Sequence, residues 1–332
     1  MKVHKLLRID KPSKGPQLFG MEIEAENVRT VFDSKWWRIT EDGSLRNRGM
    51  EFITNPISKE DMTTAIKTYY KQHIKRGYEV SCRTGIHVHA DMRRRTLDQI
   101  CSISAAYAAI EPVLMQRYCG EDRARSIFCV PWYEAAGDLS FLREASSAQS
   151  RGVASEMISS TCKYSSLFLG PLTRLGTMEF RSAPTYDSAE PALKWLDVID
   201  RLIKFAENRP TAEIVEQAEL DVSGLAATIT EAACTDAEID LIEEVDSIGV
   251  ASRLVRTSLG DPWAMPPQTE AVNPVGAQPR AITARDLAQR PMGRNVTSDF
   301  TPMPDVPPPR RRAQRRTHWG RGVPNWTAPR DF

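Results

Sequence analysis

Residues 18–26 alternate in the strand manner, with Phe19, Met21, Ile23 and Ala25 on one side of an extended chain and Glu22, Glu24 and Glu26 on the other. Successive side chains of a strand point to opposite faces, so the alternation predicts a strand with one apolar and one acidic face. Residues 36–39 and 50–54 read as hairpin strands joined by a long loop whose turn residues are Glu41, Asp42, Gly43 and Ser44. Ser58 and Asp61 then make a capping-box pattern, and Met62, Ala65, Ile66, Tyr69, Tyr70 and Ile74 recur at helical spacing up to Gly77. That stripe assigns the helix to the back of the sheet.

A strand is expected at residues 86–90, followed by a helix from about Leu97 that Pro112 should kink or end, because proline lacks the donor and clashes with the preceding turn. Residues 121–137 read as irregular. A helix at Leu139–Ala148, strands at 164–169 and 177–182, and a helix at 189–208 carrying Leu193, Leu196, Ile199, Ile203 and Phe205 complete a mixed α+β body over residues 1–209. Beyond Pro210, short acidic helices are expected at 212–220, 224–233 and 237–248, the last capped by Thr235, forming a helical appendage over residues 210–260. Residues 261–332 are rich in proline, polar residues and arginine, with too few periodic apolar positions for a core, which predicts a disordered tail.

Composition changes this picture little. A chain of 332 residues can bury a sizeable core without disulfide or metal staples. Residues 1–14 contain no uninterrupted apolar run, so neither a secretory signal nor a membrane span is expected and a cytoplasmic setting follows. The six cysteines (Cys82, Cys101, Cys119, Cys129, Cys162 and Cys234) include no C-x-x-C pair, which favours reduced thiols acting mostly as small core residues. A net charge of +1 hides an acidic stretch at 207–250, where Arg209 is the only base, and a basic run at 310–316. Those arginines could bind nucleic acid or an acidic partner, or fold back on the acidic stretch.

Four groups of residues carry candidate chemistry. Glu22 and Glu24, two apart on a strand, share a face and repel unless a cation lies between them; the plain alternative is a solvated strand face. Magnesium suits such hard oxygen ligands, whereas no thiolates are at hand for structural zinc. Asp42 in D-G-S-L and Glu51 in G-M-E-F add further acids. His87 and His89 in G-I-H-V-H are again same-face neighbours, open to a site role or to ordinary packing. Glu179 and Arg181 in G-T-M-E-F-R share a face and could be a structural ion pair. There is no G-x-x-x-x-G-K-[ST] loop and no G-x-G-x-x-G after a strand.

In order, G-M-E-I-E, D-G-S-L with G-M-E-F, G-I-H-V-H, K-Y-x-x-L with G-T-M-E-F-R, and Trp195 resemble the amidoligase family of the carboxylate-amine ligase superfamily, alongside glutamate-cysteine ligase and glutamine synthetase. The resemblance covers residues 18–205. It implies a glutamine-synthetase-like fold, a curved, mainly antiparallel sheet backed by helices, with residues 1–209 as the catalytic domain. It also implies ATP-dependent joining of a small-molecule or peptide acid to an amine through an acyl phosphate, with magnesium, or manganese in its place. Glu22, Glu24, Glu51 and Glu179 match the metal-binding acids, with Asp42 a further match; His87 matches a histidine near the nucleotide phosphates, and Arg181 an arginine on the transferred phosphoryl group. Arg125, in a stretch similar to one that faces ligand, is a candidate nucleotide contact, and His89 a candidate proton acceptor or pocket residue. Phe168 and Pro184 depart from the family pattern, which bears on substrate identity. Such relatives occur in phage and cellular genomes, which would put a phage protein in the host cytoplasm. Two other readings stay open: a zinc, manganese or iron hydrolase or oxygenase built on the Glu and His residues, and a non-catalytic scaffold with a binding tail.

Overall fold

The computed structural model describes residues 1–12, 14–120, 123, 126–135, 139–148 and 150–234. The expected helix at 237–248, its Thr235 cap and the expected tail at 261–332 lie outside the described residues. Within them the protein is an α+β fold of helices on an antiparallel sheet.

The strands are β1 (Leu18–Ala25), β2 (Trp37–Glu41), β3 (Met50–Thr54), β4 (Ile57–Ser58), β5 (Ile86–Asp91), β6 (Leu167–Phe168) and β7 (Thr177–Phe180). They form one open seven-stranded sheet in the order β2-β3-β1-β5-β7-β6, with β4 pairing to β1. Every strand pair is antiparallel. The 36–39 and 50–54 hairpin forms as expected, and Asp42 Oδ1 accepts from Ser44 N–H at 2.8 Å to open its long loop.

The helices are α1 (Val3–Leu7), α2 (Lys59–Arg76), α3 (Leu97–Leu114), α4 (Trp132–Ala135), α5 (Leu139–Ala148), α6 (Arg151–Ser160), α7 (Ala189–Ala206) and α8 (Thr211–Ala233). Ser58 caps α2 by accepting from Asp61 N–H, and Gly77 ends it in the left-handed region at φ 62°. Its buried stripe differs from expectation at one position: His73 is buried while Ile74 is 69% exposed. His73 stands three residues beyond Tyr70 and four beyond Tyr69, so it continues the stripe, and Ile74 steps off it.

Pro112 does not end α3. The helix runs on to Leu114 and continues as a π-helical turn at Met115–Cys119, where Met115 N–H is shared between the carbonyls of Glu111 and Pro112. The donor missing at proline is absorbed by a wider turn rather than by a stop.

The core lies on one side of the sheet. Phe19, Met21, Ile23, Ala25, Phe52, Ile86, Val88, Ala90, Met178 and Phe180 are all completely buried. α2 and α3 cover them: Tyr69 meets Phe52 edge-on at 5.0 Å between ring centroids, Tyr107 meets Phe180 at 5.8 Å, and Trp37 Nε1–H donates to Ala65 O at 2.9 Å. Behind them α7 packs on α2 and α3, and Lys59 of α2 pairs with Asp197 and Asp200 of α7. Trp195 of α7 is wholly buried against Tyr118 and therefore belongs to packing.

The segment after Pro210 does not stand apart. It forms the single element α8, broken at Asp221 (φ −152°, ψ 83°), whose carboxylate accepts from Gly224 N–H and restarts the helix where two segments were expected. Ile214, Val215, Ala218, Val222, Leu225, Ala226 and Ile229 are buried, and α8 packs on α3 and α7. The core thus extends to Ala233. Ile229→Ala should cost about 2–5 kcal/mol in urea unfolding, comparable to Ile66→Ala under the sheet. A loss near zero at position 229 would make α8 a peripheral helix.

Candidate functional site

The face of the sheet opposite the core carries the charge. In the β1–β5 register Glu22 faces His87, in the β1–β3 register Glu24 faces Glu51, and in the β5–β7 register His89 faces Glu179. Directly opposed residues of antiparallel strands share a face, so the pairing brings these six side chains to one surface from four strands. Arg181, two residues beyond Glu179 at the end of β7, joins the same face and donates to Glu179 Oε1.

The distances are short throughout. His87 Nδ1 lies 3.2 Å from Glu22 Oε2 and 3.5 Å from Glu179 Oε1, and its Nε2 lies 3.9 Å from Glu24 Oε2. His89 Nε2 lies 3.3 Å from Glu22 Oε1 and 4.0 Å from Glu179 Oε1, while its Nδ1 meets Thr177 Oγ1 at 3.0 Å. Arg181 Nη1 approaches His87 Nδ1 at 3.4 Å. Glu24 Oε2 accepts from Gly85 N–H at 2.7 Å, and Thr40 Oγ1 lies 3.4 Å from Glu51 Oε2. Glu24, His87, His89, Glu179 and Arg181 are buried.

Three groupings offer ligand atoms that all lie within 4.8 Å of one another: Glu22 with Glu51 and His87, Glu22 with His89 and Glu179, and Glu24 with Asp42 and Glu51. Glu22 and Glu51 each belong to two of them, so neighbouring cations would share ligands. The donor set, carboxylate oxygens with one imidazole in two of the groupings and none in the third, fits magnesium or manganese. His87 Nε2 is buried without a hydrogen-bond partner, as a ligand awaiting its acceptor would be.

Crowding acids in a half-desolvated space shifts their proton affinities. Burial and the charges of Glu22, Glu24 and Asp42 push Glu51 up to about 9. Burial also acts to raise Glu22, but the charge of His89 and hydrogen bonds from both histidines outweigh it and hold that carboxyl well below the usual range. Burial acts to lower His89, yet Glu179 and Glu22 raise it overall. The cluster thus offsets part of its own charge through proton binding at Glu51 and His89.

All of the predicted acids and both histidines converge here, together with Asp42 from the β2–β3 loop and Arg181. Arg125 lies outside the described residues. Glu26 does not join: its Oε1 accepts from Arg46 N–H at 2.8 Å and its backbone bridges to Glu79. The acids floor a cavity of about 230 Å³ whose other walls include Ser44, Arg83, Arg123, Phe128, Lys163, Tyr164 and Phe168. Arg83 and Phe128 were not singled out in the sequence, and no spacing there marks them. They meet only in three dimensions, with the Arg83 guanidinium 5.0 Å from the Phe128 ring centroid. Larger cavities exist elsewhere, one of about 340 Å³ beside Gln17 and Arg94, but none of the acid groupings lines it.

No family model and no curated protein matches the chain.

The shifted Glu51 gives a pH signature. Its folded value of about 9 stands above the ordinary 4.5, so the metal-free fold holds a proton there that the unfolded chain releases. Stability from this group is full below about pH 4.5 and declines as pH rises toward about 9. Glu51→Gln should flatten that decline and raise the melting temperature of the metal-free protein most at pH 8. Magnesium binding should expel a proton near neutrality, read as a dependence of calorimetric heat on the buffer's ionisation enthalpy. Buffer-independent heat would place the cation away from Glu51.

Proposed function

We propose that this protein is an ATP-dependent, magnesium-dependent carboxylate-amine ligase of the amidoligase type, joining an acid to an amine through an acyl phosphate on a glutamine-synthetase-like scaffold. The observation that carries the reading is the convergence of Glu22, Glu51 and Glu179, from three strands distant in sequence, into groupings that share ligands. Sharing favours a pair of closely spaced cations, the arrangement suited to a polyphosphate with several oxygens to neutralise.

A carboxylate and an amine in water form a salt, because the carboxylate carbon is a poor electrophile and oxide a poor leaving group. Phosphorylation by ATP removes the second obstacle: phosphate then leaves when the amine attacks. Glu22, Glu24, Glu51, Glu179 and Asp42 would hold the metal ions, with His87 and His89 as flanking ligands. Bound magnesium would supply positive charge at the phosphate oxygens. Arg181, buried and aligned by Glu179, would add a fixed guanidinium against the charge that grows on the transferred group. His89, held by Thr177, is a candidate to take the amine proton once cations displace protons from the cluster.

The alternative of a two-histidine, one-carboxylate oxygenase centre is less well supported, because none of the three groupings contains both histidines. A basic tail binding nucleic acid or an acidic partner concerns residues outside those described.

Phosphate release from ATP, screened over mixtures of acids and amines, tests the proposal. Turnover stimulated by both components and abolished in Glu22→Gln and Glu179→Gln, with circular dichroism unchanged, is the expected result. Undiminished turnover in either variant removes that residue from the site, and a screen without ATP consumption in the presence of magnesium or manganese rejects the ligase.

A further inference from the structure

The wall facing the acids holds a cation that the ligase reading does not use. Arg123 is 2% exposed, yet its Nε and Nη1 are buried with no hydrogen-bond partner. Its Nη2 donates to the main-chain oxygen of Arg181 at 2.9 Å, and among the described residues its only other side-chain neighbour in hydrogen-bond range is the neutral thiol of Cys129. A guanidinium stays charged at any working pH, so it cannot relieve its burial by losing a proton. Leaving such a charge without a counter-ion is costly. The neighbouring carboxylates are engaged: Glu179 accepts from Arg181, and Glu111 accepts from Trp132 N–H at 2.8 Å and from Ser166 Oγ.

The backbone is shaped to admit this side chain. A β-carbon on Gly85 would stand 2.4 Å from Arg123 Nη2 and 2.9 Å from its Cζ, so the glycine lets the guanidinium lie flat on β5's approach. The same Gly85 gives its N–H to Glu24, which ties the arginine wall to the acid floor through one residue. The Arg123 guanidinium is thereby anchored on the main chain of Arg181, and both arginines line one cavity.

We propose that Arg123 is an anion-binding residue of this cavity, taking an oxyanion of the ligand, a carboxylate or a phosphate, on its unpartnered Nε and Nη1 groups. The inference shares with the ligase reading only the premise that the cavity takes a ligand. Planar, two-point recognition by guanidinium suits both oxyanions, so the source is left to the test.

The test is calorimetric titration of the full chain and of Arg123→Met with four probes: magnesium alone, inorganic phosphate, magnesium with a non-hydrolysable ATP analogue, and glutarate as a simple carboxylate. The expected result is a loss of at least about tenfold in affinity for the phosphate probes or for glutarate, with magnesium affinity unchanged. A loss confined to the phosphate probes assigns the nucleotide as the source, and one confined to glutarate assigns the acid. Arg123→Lys keeps the charge without the planar fork and should give an intermediate loss, which serves if Arg123→Met does not fold. Affinities within twofold for every probe overturn the proposal, as does a parallel loss of magnesium affinity or wild-type protein that binds none of the anions. Should the ATP analogue fail to bind while glutarate binds through Arg123, the ligase reading falls and this inference stands.

Discussion

Mutual repulsion among carboxylates governs this structure. Glu22, Glu24, Glu51 and Glu179 lie on one face of one sheet, brought there by strand pairing, and with all four ionised their charges would oppose the fold that gathers them. The metal-free chain answers with protons and local cations: Glu51 is pushed up to about 9, His89 is raised, and Arg181 lies against Glu179. The reverse side of the sheet supplies the opposing stabilisation. Its wholly buried apolar face under α2 and α3 makes the acid surface tolerable, since hydrophobic burial there is independent of the charge state in front.

The fold was legible where one physical period dominates. β1 follows from two-residue alternation, and α2 from helical spacing between a Ser58 cap and a Gly77 stop. Three features escaped the sequence reading. α6 (Arg151–Ser160) carries few apolar residues and several serines, so its period is faint although Ala154, Met157 and Ile158 are buried. β4 is two residues long, too short for alternation to register. The helices of α8 were expected, but their place in the core was not: they read as an acidic appendage because composition was weighed above spacing. Its acids Glu213, Glu216 and Glu219 are exposed while Ile214, Val215 and Ala218 are buried, so the amphipathic stripe was present all along.

For the site, the short motifs located Glu22, Glu24, Glu51, His87, His89 and Glu179 because each sits on a strand whose register follows from local alternation. The cavity walls were legible only in part. Lys163 and Tyr164 belong to the K-Y-x-x-L motif, but Arg83 and Phe128 reach the cavity from loops, and loop paths depend on tertiary packing rather than on any period in the chain. Phe168 pairs with Glu179 on β7, so its ring lies beside the acids and makes that part of the wall apolar.

The two-residue repeat of β1 binds site and core into a single design. Glu22 and Glu24 point forward only because Met21, Ile23 and Ala25 point back, so deleting one residue between them would drive carboxylates into the buried layer and turn the apolar row to solvent. A frameshift of that kind could not spoil the ligand surface and spare the scaffold. This protein can lose its acids by substitution, but not by misalignment without also ceasing to fold.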